Sequence, residues 1–271
     1  MQTLIVIPAR YGSTRFLGKP LQPIAGHTLL ARVTHVARQA AAKRDDVSFV
    51  IATDHDAIAE HAQDIGAPFV MTDPDLPSGT DRALAAARLQ DEQPDFVLNL
   101  QGDAPFTPPA YLDALIEAAK TCDLDVVTPV VQLDWAALDT VRDQKTREPF
   151  SGTSCVRRPD GEAIWFSKQV LPSIRKEEKL RAAGPMSPVW RHIGLYGYRM
   201  PALERFAQLP VGYYEELEGL EQLRFLENGM RIMSVAIKAE ANAMWGIDTP
   251  EDARFAEKLI DEHGDPLEGG A

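Results

Sequence analysis

The chain has 271 residues, 45% of them hydrophobic and 25% charged, and a net charge of −12. That is enough chain for a sizeable core, in one large domain or two small ones. So acidic a balance argues against general nucleic-acid binding, which draws on broad basic surfaces. A focused basic cluster on an acidic chain suits a small anionic ligand instead. No basic segment followed by a long apolar stretch opens the chain, and no apolar run approaches the roughly 18 residues of a membrane span, so a cytoplasmic protein is expected. The two cysteines, Cys122 and Cys155, lie in no C-x-x-C and no Cys/His zinc spacing, and read as reduced thiols without a special role.

In chain order, Leu4-Ile5-Val6-Ile7 reads as a buried strand, ended by Pro8 for want of an N–H. The loop after it combines small residues (Ala9, Gly12, Ser13) with three cations, Arg10, Arg15 and Lys19. Small side chains let backbone N–H groups approach phosphates, and the cations neutralise them, so the loop is a candidate polyphosphate grip. It is not a P-loop. Five residues rather than four separate Gly12 from Gly18, and Pro20 stands where the magnesium-binding hydroxyl belongs.

A helix is expected over 28–42, a strand over 47–52 ending at Thr53-Asp54, a helix over 56–65 and a short strand over 68–71. The loop containing Ser78, Gly79 and Thr80 then leads into a helix over 81–90. Phe96 to Leu100 is the next strand, with Gln101-Gly102-Asp103 at its carboxyl end, followed by a helix over 108–120. This alternation predicts an α/β fold with a doubly wound, mostly parallel sheet, whose ligands bind outside the carboxyl ends of the strands. The second half reads as a smaller, mixed β subdomain. A strand is expected over 125–131, a helix over 134–147, and a hairpin of 154–157 and 163–166 around Pro159-Asp160-Gly161. An exposed loop over 174–185, one strand over 192–199, one helix over 215–228 and a strand over 231–239 follow. Thr249 as N-cap, Pro250 and two acids open a last helix, before a tail, DPLEGGA, expected to be disordered. One α/β domain is expected to about residue 258, with nucleotide binding before about residue 120 and the acceptor part from there to about 245.

Asp103 and Asp248 are the candidate metal carboxylates, since magnesium bound with a nucleotide takes one or two carboxylates and completes its shell with phosphate oxygens. The motifs IPARYGSTRFLGKP, ATDH (52–55), SGTDR (78–82), LNLQGDAP (98–105), RHIGLYGYR (191–199), LEQLR (220–224) and GIDTPED (246–252) now stand together. They resemble the 3-deoxy-manno-octulosonate (Kdo) cytidylyltransferases, the CMP-Kdo synthetases of lipopolysaccharide or capsule synthesis, nearly end to end.

That resemblance implies transfer of CMP from CTP to the anomeric hydroxyl of Kdo, with release of pyrophosphate, and implies a homodimer using Mg2+. It implies that Arg10, Arg15 and Lys19 hold the triphosphate, and that Ala9, Ser13, Ser78, Gly79 and Thr80 hold the phosphates and nucleotide. Asp103 and Asp248 would carry the metal. Gln101, Lys168, His192, Tyr196, Glu221 and Gln222 would meet the sugar. From the residues alone, His192 and Tyr196 could equally be one packed strand face, and Glu218, Glu221 and Gln222 a solvated helix face.

The chain departs from the family at four places. Ala104 replaces the usual Glu after the metal aspartate, and Phe16-Leu17-Gly18-Lys19 replaces Leu-Pro-Gly-Lys. Lys168 stands for an Arg, and Ser154 for a hairpin Lys. The last two alter cations on the sugar side, where Arg and Lys are not equivalent. A different acidic acceptor therefore stays open, such as another 3-deoxy sugar acid, an amino-Kdo analogue or a phosphonate. So do a nucleotide-binding module without turnover and a guanylyl- or uridylyltransferase.

Overall fold

The computed structural model describes residues 1–12, 16–240 and 246–267. The chain forms two compact units, one of residues 1–113 with 240–271 and the other of residues 114–239.

In the first unit, the apolar run at the amino terminus becomes β1 (Thr3–Ala9), with Ile5, Val6 and Ile7 fully buried. A short hairpin, β2 (Pro23–Ile24) and β3 (His27–Thr28), leads into α1 (Leu29–Ala41). The Thr28 hydroxyl caps that helix by accepting from the Ala31 N–H at 3.1 Å, and Leu29, Leu30, Val33, Val36 and Ala37 form its buried stripe. Next come β4 (Val47–Thr53), α2 (Asp56–Asp64), β5 (Phe69–Met71), α3 (Gly79–Arg88) and β6 (Phe96–Asn99). All three strand pairings, β1 with β4, β1 with β6 and β4 with β5, are parallel, as the alternation predicts.

Pro8 does not end β1. It keeps register with Ala52 of β4, while pairing with β6 stops at Val6 opposite Asn99. The Val6 carbonyl accepts from Leu100 on the β6 side, so by strand alternation the missing Pro8 N–H faces that same side, beyond the last β6 pair.

The final helix, Pro250–His263, belongs to this unit and opens as expected. The Thr249 hydroxyl accepts from the Asp252 N–H, and the Asp252 side chain accepts in return. The tail, expected to be disordered, is tied down at Asp265. Its two oxygens accept from the buried Arg32 guanidinium at 2.8 and 2.9 Å, because a guanidinium taken out of water needs a counter-charge. Residues 268–271 lie outside the described residues.

The chain passes into the second unit within α4 (Pro109–Thr121). There β7 (Val126–Asp134) leads into α5 (Trp135–Arg147), capped by Asp134, and then to the expected hairpin, β8 (Ser154–Arg157) and β9 (Ala163–Ser167). The rest is α6 (Glu177–Ala183), β10 (Met186–His192), β11 (Tyr196–Arg199), α7 (Met200–Phe206), α8 (Tyr213–Glu218), α9 (Gln222–Glu227) and β12 (Ile232–Ala236). β7 pairs parallel with β12 and antiparallel with β10 and β11, which makes this sheet mixed.

Four expectations fail here. The charged 174–185 stretch is not all loop: Glu177 ties α6 to Arg142 of α5, both bonds at 2.8 Å. Residues 192–199 are two strand ends rather than one strand, interrupted at Ile193–Leu195. Residues 215–228 break into α8 and α9 because Gly219 adopts a left-handed conformation, φ 62°, which ends α8. The last strand stops at Ala236, short of Ala239.

Candidate active site

The carboxyl ends of the parallel strands deliver the nucleotide candidates to one cavity of about 420 Å³ in the first unit. Ala9 and Arg10 come from the end of β1, and Lys19 from a 3-10 turn, Lys19–Leu21. Ser78 and Gly79 come from the start of α3, Gln101 and Asp103 from the turn after β6, and Asp248 from the approach to the final helix. Thr80 is buried within α3 and does not line the cavity. Ser13 and Arg15 lie outside the described residues.

The centre of this cavity is a shared ammonium. Lys19 Nζ donates to Asp103 Oδ2 at 2.9 Å and to Asp248 Oδ1 at 3.0 Å. The Ile247 N–H donates to the Asp103 carbonyl at 2.9 Å, which fixes the two aspartates side by side. Burial works to lower the Lys19 pKa, but the Asp103 and Asp248 carboxylates more than offset it, so the ammonium titrates above its ordinary 10.5. The stabilisation is therefore fully present at neutral pH and is lost only as pH rises past the ordinary lysine range. Among the described residues no cluster of three or more His, Cys, Asp or Glu could cage a metal. Two oxygen donors meeting beside a phosphate grip fit magnesium, which draws its remaining ligands from phosphate and water.

The start of α3 supplies the neutral part of the grip. The Ser78 hydroxyl accepts from the Asp81 N–H at 3.1 Å as the N-cap and bonds Asp81 Oδ2 at 2.6 Å. The first N–H groups of a helix carry partial positive charge, and Gly79, the first residue of α3, lines the cavity. Gly102 is obligatory. A Cβ there would stand 2.3 Å from the Pro8 carbonyl oxygen.

Arg82 also lines the cavity and carries no expected ligand role. Arg82, 3% exposed, donates to Asp54 Oδ2 at 2.9 Å and to the Thr72 hydroxyl, and so braces the strand ends. Asp54 also accepts from the Tyr11 N–H at 3.3 Å, and the Tyr11 ring stacks on His55 at 4.0 Å. The sequence signals were the charged ends of ATDH and SGTDR, read as ligand motifs rather than as each other's partners.

The second unit gathers the sugar candidates. His192 and Tyr196 sit on different strands, so spacing along one strand does not explain their meeting, yet their ring centroids are 5.3 Å apart. His192 Nε2 lies 2.8 Å from the Thr128 hydroxyl, whose one proton goes to the Leu195 carbonyl at 2.8 Å. His192 must then carry its proton on Nε2, which leaves Nδ1 an acceptor. Burial, with the Lys168 charge, pushes its pKa down to about 3. On acidification the unfolded chain takes up a proton near 6.5 and the folded one does not, so stability falls below that pH. In His192→Gln, thermal melts should lose this part of the acid sensitivity between about pH 6.5 and 4.5. Unchanged pH dependence would contradict the neutral assignment.

The Tyr196 hydroxyl donates to Gln222 Oε1 at 2.9 Å, and burial holds it protonated by raising its pKa well above 10. That leaves the buried Gln222 Nε2 without a partner. Such an orphaned donor fits a ligand hydroxyl. Glu221 lies just before α9, and Glu218 accepts from the Ser167 hydroxyl at 2.8 Å and the Lys168 N–H at 2.7 Å, so the expected single helix face does not exist. Arg224 of LEQLR is structural, held by Glu215 at 2.6 Å. Cys155 is buried and its thiol is pushed up to about 12 by burial. Alkylation at pH 8 should therefore label Cys122 first and spare Cys155 until the chain unfolds. Equal rates would contradict that burial.

A family model for cytidylyltransferases matches residues 4–232. The chain is 40% identical over 266 residues to the 3-deoxy-manno-octulosonate cytidylyltransferase of Maricaulis maris, covering 98% of this chain and 99% of that one. It is 39% identical to the corresponding protein of Elusimicrobium minutum, covering 95% and 98%. The structure of a CMP:2-keto-3-deoxy-manno-octonic acid synthetase complexed with CTP superposes with a TM-score of 0.83 at 30% identity, covering 97% of this chain and 99% of that one. A chain this similar to them over nearly its whole length, and matched by the cytidylyltransferase model over residues 4–232, belongs to the family of 3-deoxy-manno-octulosonate cytidylyltransferases.

Proposed function

We propose that the enzyme transfers CMP from CTP to the anomeric hydroxyl of Kdo, forming CMP-Kdo and pyrophosphate. The observation that carries this is the Lys19 ammonium bound to both Asp103 and Asp248 in a cavity bordered by the start of α3. The sugar oxygen attacks the α-phosphorus, the bond to the β-phosphate oxygen breaks, and pyrophosphate departs with the electron pair. The hydroxyl proton passes to water. Arg10, Lys19 and the first N–H groups of α3 bind and orient the phosphates, and Ser13 and Arg15 join them in this reading. Asp103 and Asp248 would hold Mg2+, which when bound neutralises charge on the phosphate oxygens. Gln101 is a sugar-binding residue in this reading. In the second unit, His192 Nδ1, Tyr196, Gln222 and Glu221 bind hydroxyls, and Lys168 meets the carboxylate.

This reading needs no covalent enzyme intermediate, and catalysis rests on positioning and charge neutralisation. The same reading takes the enzyme as a cytoplasmic homodimer, for which light scattering is the check. Ser154 and Lys168 favour, as a second reading, a different acidic acceptor for the same chemistry. Pyrophosphate release with Kdo and magnesium, compared across CTP, UTP and GTP, tests the nucleotide. CTP should be preferred, and a preference for UTP or GTP would overturn the cytidylyl assignment.

A further inference from the structure

Three cations of the second unit, Lys145 of α5, Lys168 after β9 and Arg191 of β10, gather where, among the described residues, none of them forms an ion pair and Glu218 is the one carboxylate that attracts Lys145 and Lys168. The Lys145 ammonium donates only to carbonyl oxygens, chiefly those of Ser151 and of Lys168 itself. Lys145 and Arg191 line one small recess with Ser154. Among the described residues the Arg191 guanidinium has no hydrogen-bond acceptor, and burial alone accounts for its lowered pKa. Glu218 is the one carboxylate that attracts Lys168, and its oxygens are taken by the Ser167 hydroxyl and the Lys168 N–H. The Phe166 ring, two residues before Lys168, packs 5.1 Å from His192, and the Lys168 charge reaches that imidazole, so Lys168 adjoins the sugar candidates.

Desolvating cations beside one another without a partner costs stability. Burial, then Lys168 and Arg191, lowers the Lys145 pKa, the mark of that cost. We propose that Lys145, Lys168 and Arg191 form one anion site whose ligand is the carboxylate of the acidic acceptor, with Lys145 also positioning Lys168 through its carbonyl. This rests on the cytidylyltransferase reading above. Ser154, where the resemblance leads to a lysine, lines the same recess, and α5 supplies the missing charge from another direction.

Arg191→Gln and Lys145→Met test it. Among the described residues no group accepts from the Arg191 guanidinium, so its removal unpairs none of them, and the methionine keeps the aliphatic stem of Lys145. Each variant should raise the KM for the sugar acid about tenfold or more, the scale of one lost charge-assisted contact, with the KM for CTP within about twofold. The melting temperature of Arg191→Gln should equal or exceed that of the wild type, and Lys145→Arg should restore the sugar KM. A sugar KM within about twofold of wild type in both variants would overturn the site. So would a lower melting temperature for Arg191→Gln, which marks a structural role, or a shift confined to CTP or pyrophosphate, which marks a phosphate ligand. If the wild type forms no CMP-sugar with any acidic sugar, the function reading itself falls, and this inference with it.

Discussion

Asp103→Asn is expected to lower turnover by about a thousandfold or more, the scale of losing a principal electrostatic contact at a reacting centre. Asp103 is one of two carboxylates on the Lys19 ammonium, and the Ile247 N–H holds its own carbonyl beside Asp248. Asparagine keeps the shape and the backbone bond and removes the charge. The Lys19 ammonium loses one counter-charge, and the site loses one of the two donors that would hold magnesium. Nucleotide binding without metal should survive, because a negative charge beside the phosphates has gone. Pyrophosphate release measures the first effect, and calorimetric CTP titration in chelator the second. Turnover near wild type would contradict the metal assignment.

Gly102→Ala is expected to destabilise the first unit by about 2–4 kcal/mol and to abolish tight CTP binding with it. The added Cβ would lie 2.3 Å from the Pro8 carbonyl oxygen, and neither atom can rotate away. Relief requires the end of β1 to part from the Gln101–Asp103 turn, the two segments that bring Ala9 and Asp103 to the cavity. Gly79→Ala is the control. Its Cβ would meet the Pro8 ring at 3.6 Å, an ordinary contact, so a change below about 1 kcal/mol is expected. Denaturant melts of the two variants read the difference, and equal stabilities would show that the close approach at Gly102 is not binding on the fold.

The parallel part of the fold was legible because its signals are local. An apolar run, a Ser or Thr cap and a helical stripe each declare themselves within a dozen residues, as at Leu4–Ile7, Thr28 and Ser78. Asp103 and Asp248 were legible for a related reason: each follows an apolar stretch and precedes a turn or cap. The second unit was harder. Nothing in RHIGLYGYR distinguishes one strand from two, because Gly194 is compatible with both, and the interruption follows from pairing with different halves of β7. Gly219 was a stop signal within a strongly helical stretch, and it prevailed over the propensity of its neighbours. The pairings Arg82–Asp54, Arg32–Asp265 and Lys145–Lys168 join residues remote in sequence, and no local pattern encodes them. That is why the sequence overlooked the braces around the candidate ligands.

The account stands on one reaction, cytidylyl transfer to an acidic sugar. It is tested most directly by pyrophosphate release from CTP and magnesium across a panel containing Kdo, its amino analogue, other 3-deoxy sugar acids and a phosphonate, with the nucleotide product identified by mass. The account predicts pyrophosphate in step with a CMP-linked acidic sugar, and Kdo as the best acceptor. CTP that binds without acceptor-dependent pyrophosphate for any member of the panel would contradict it.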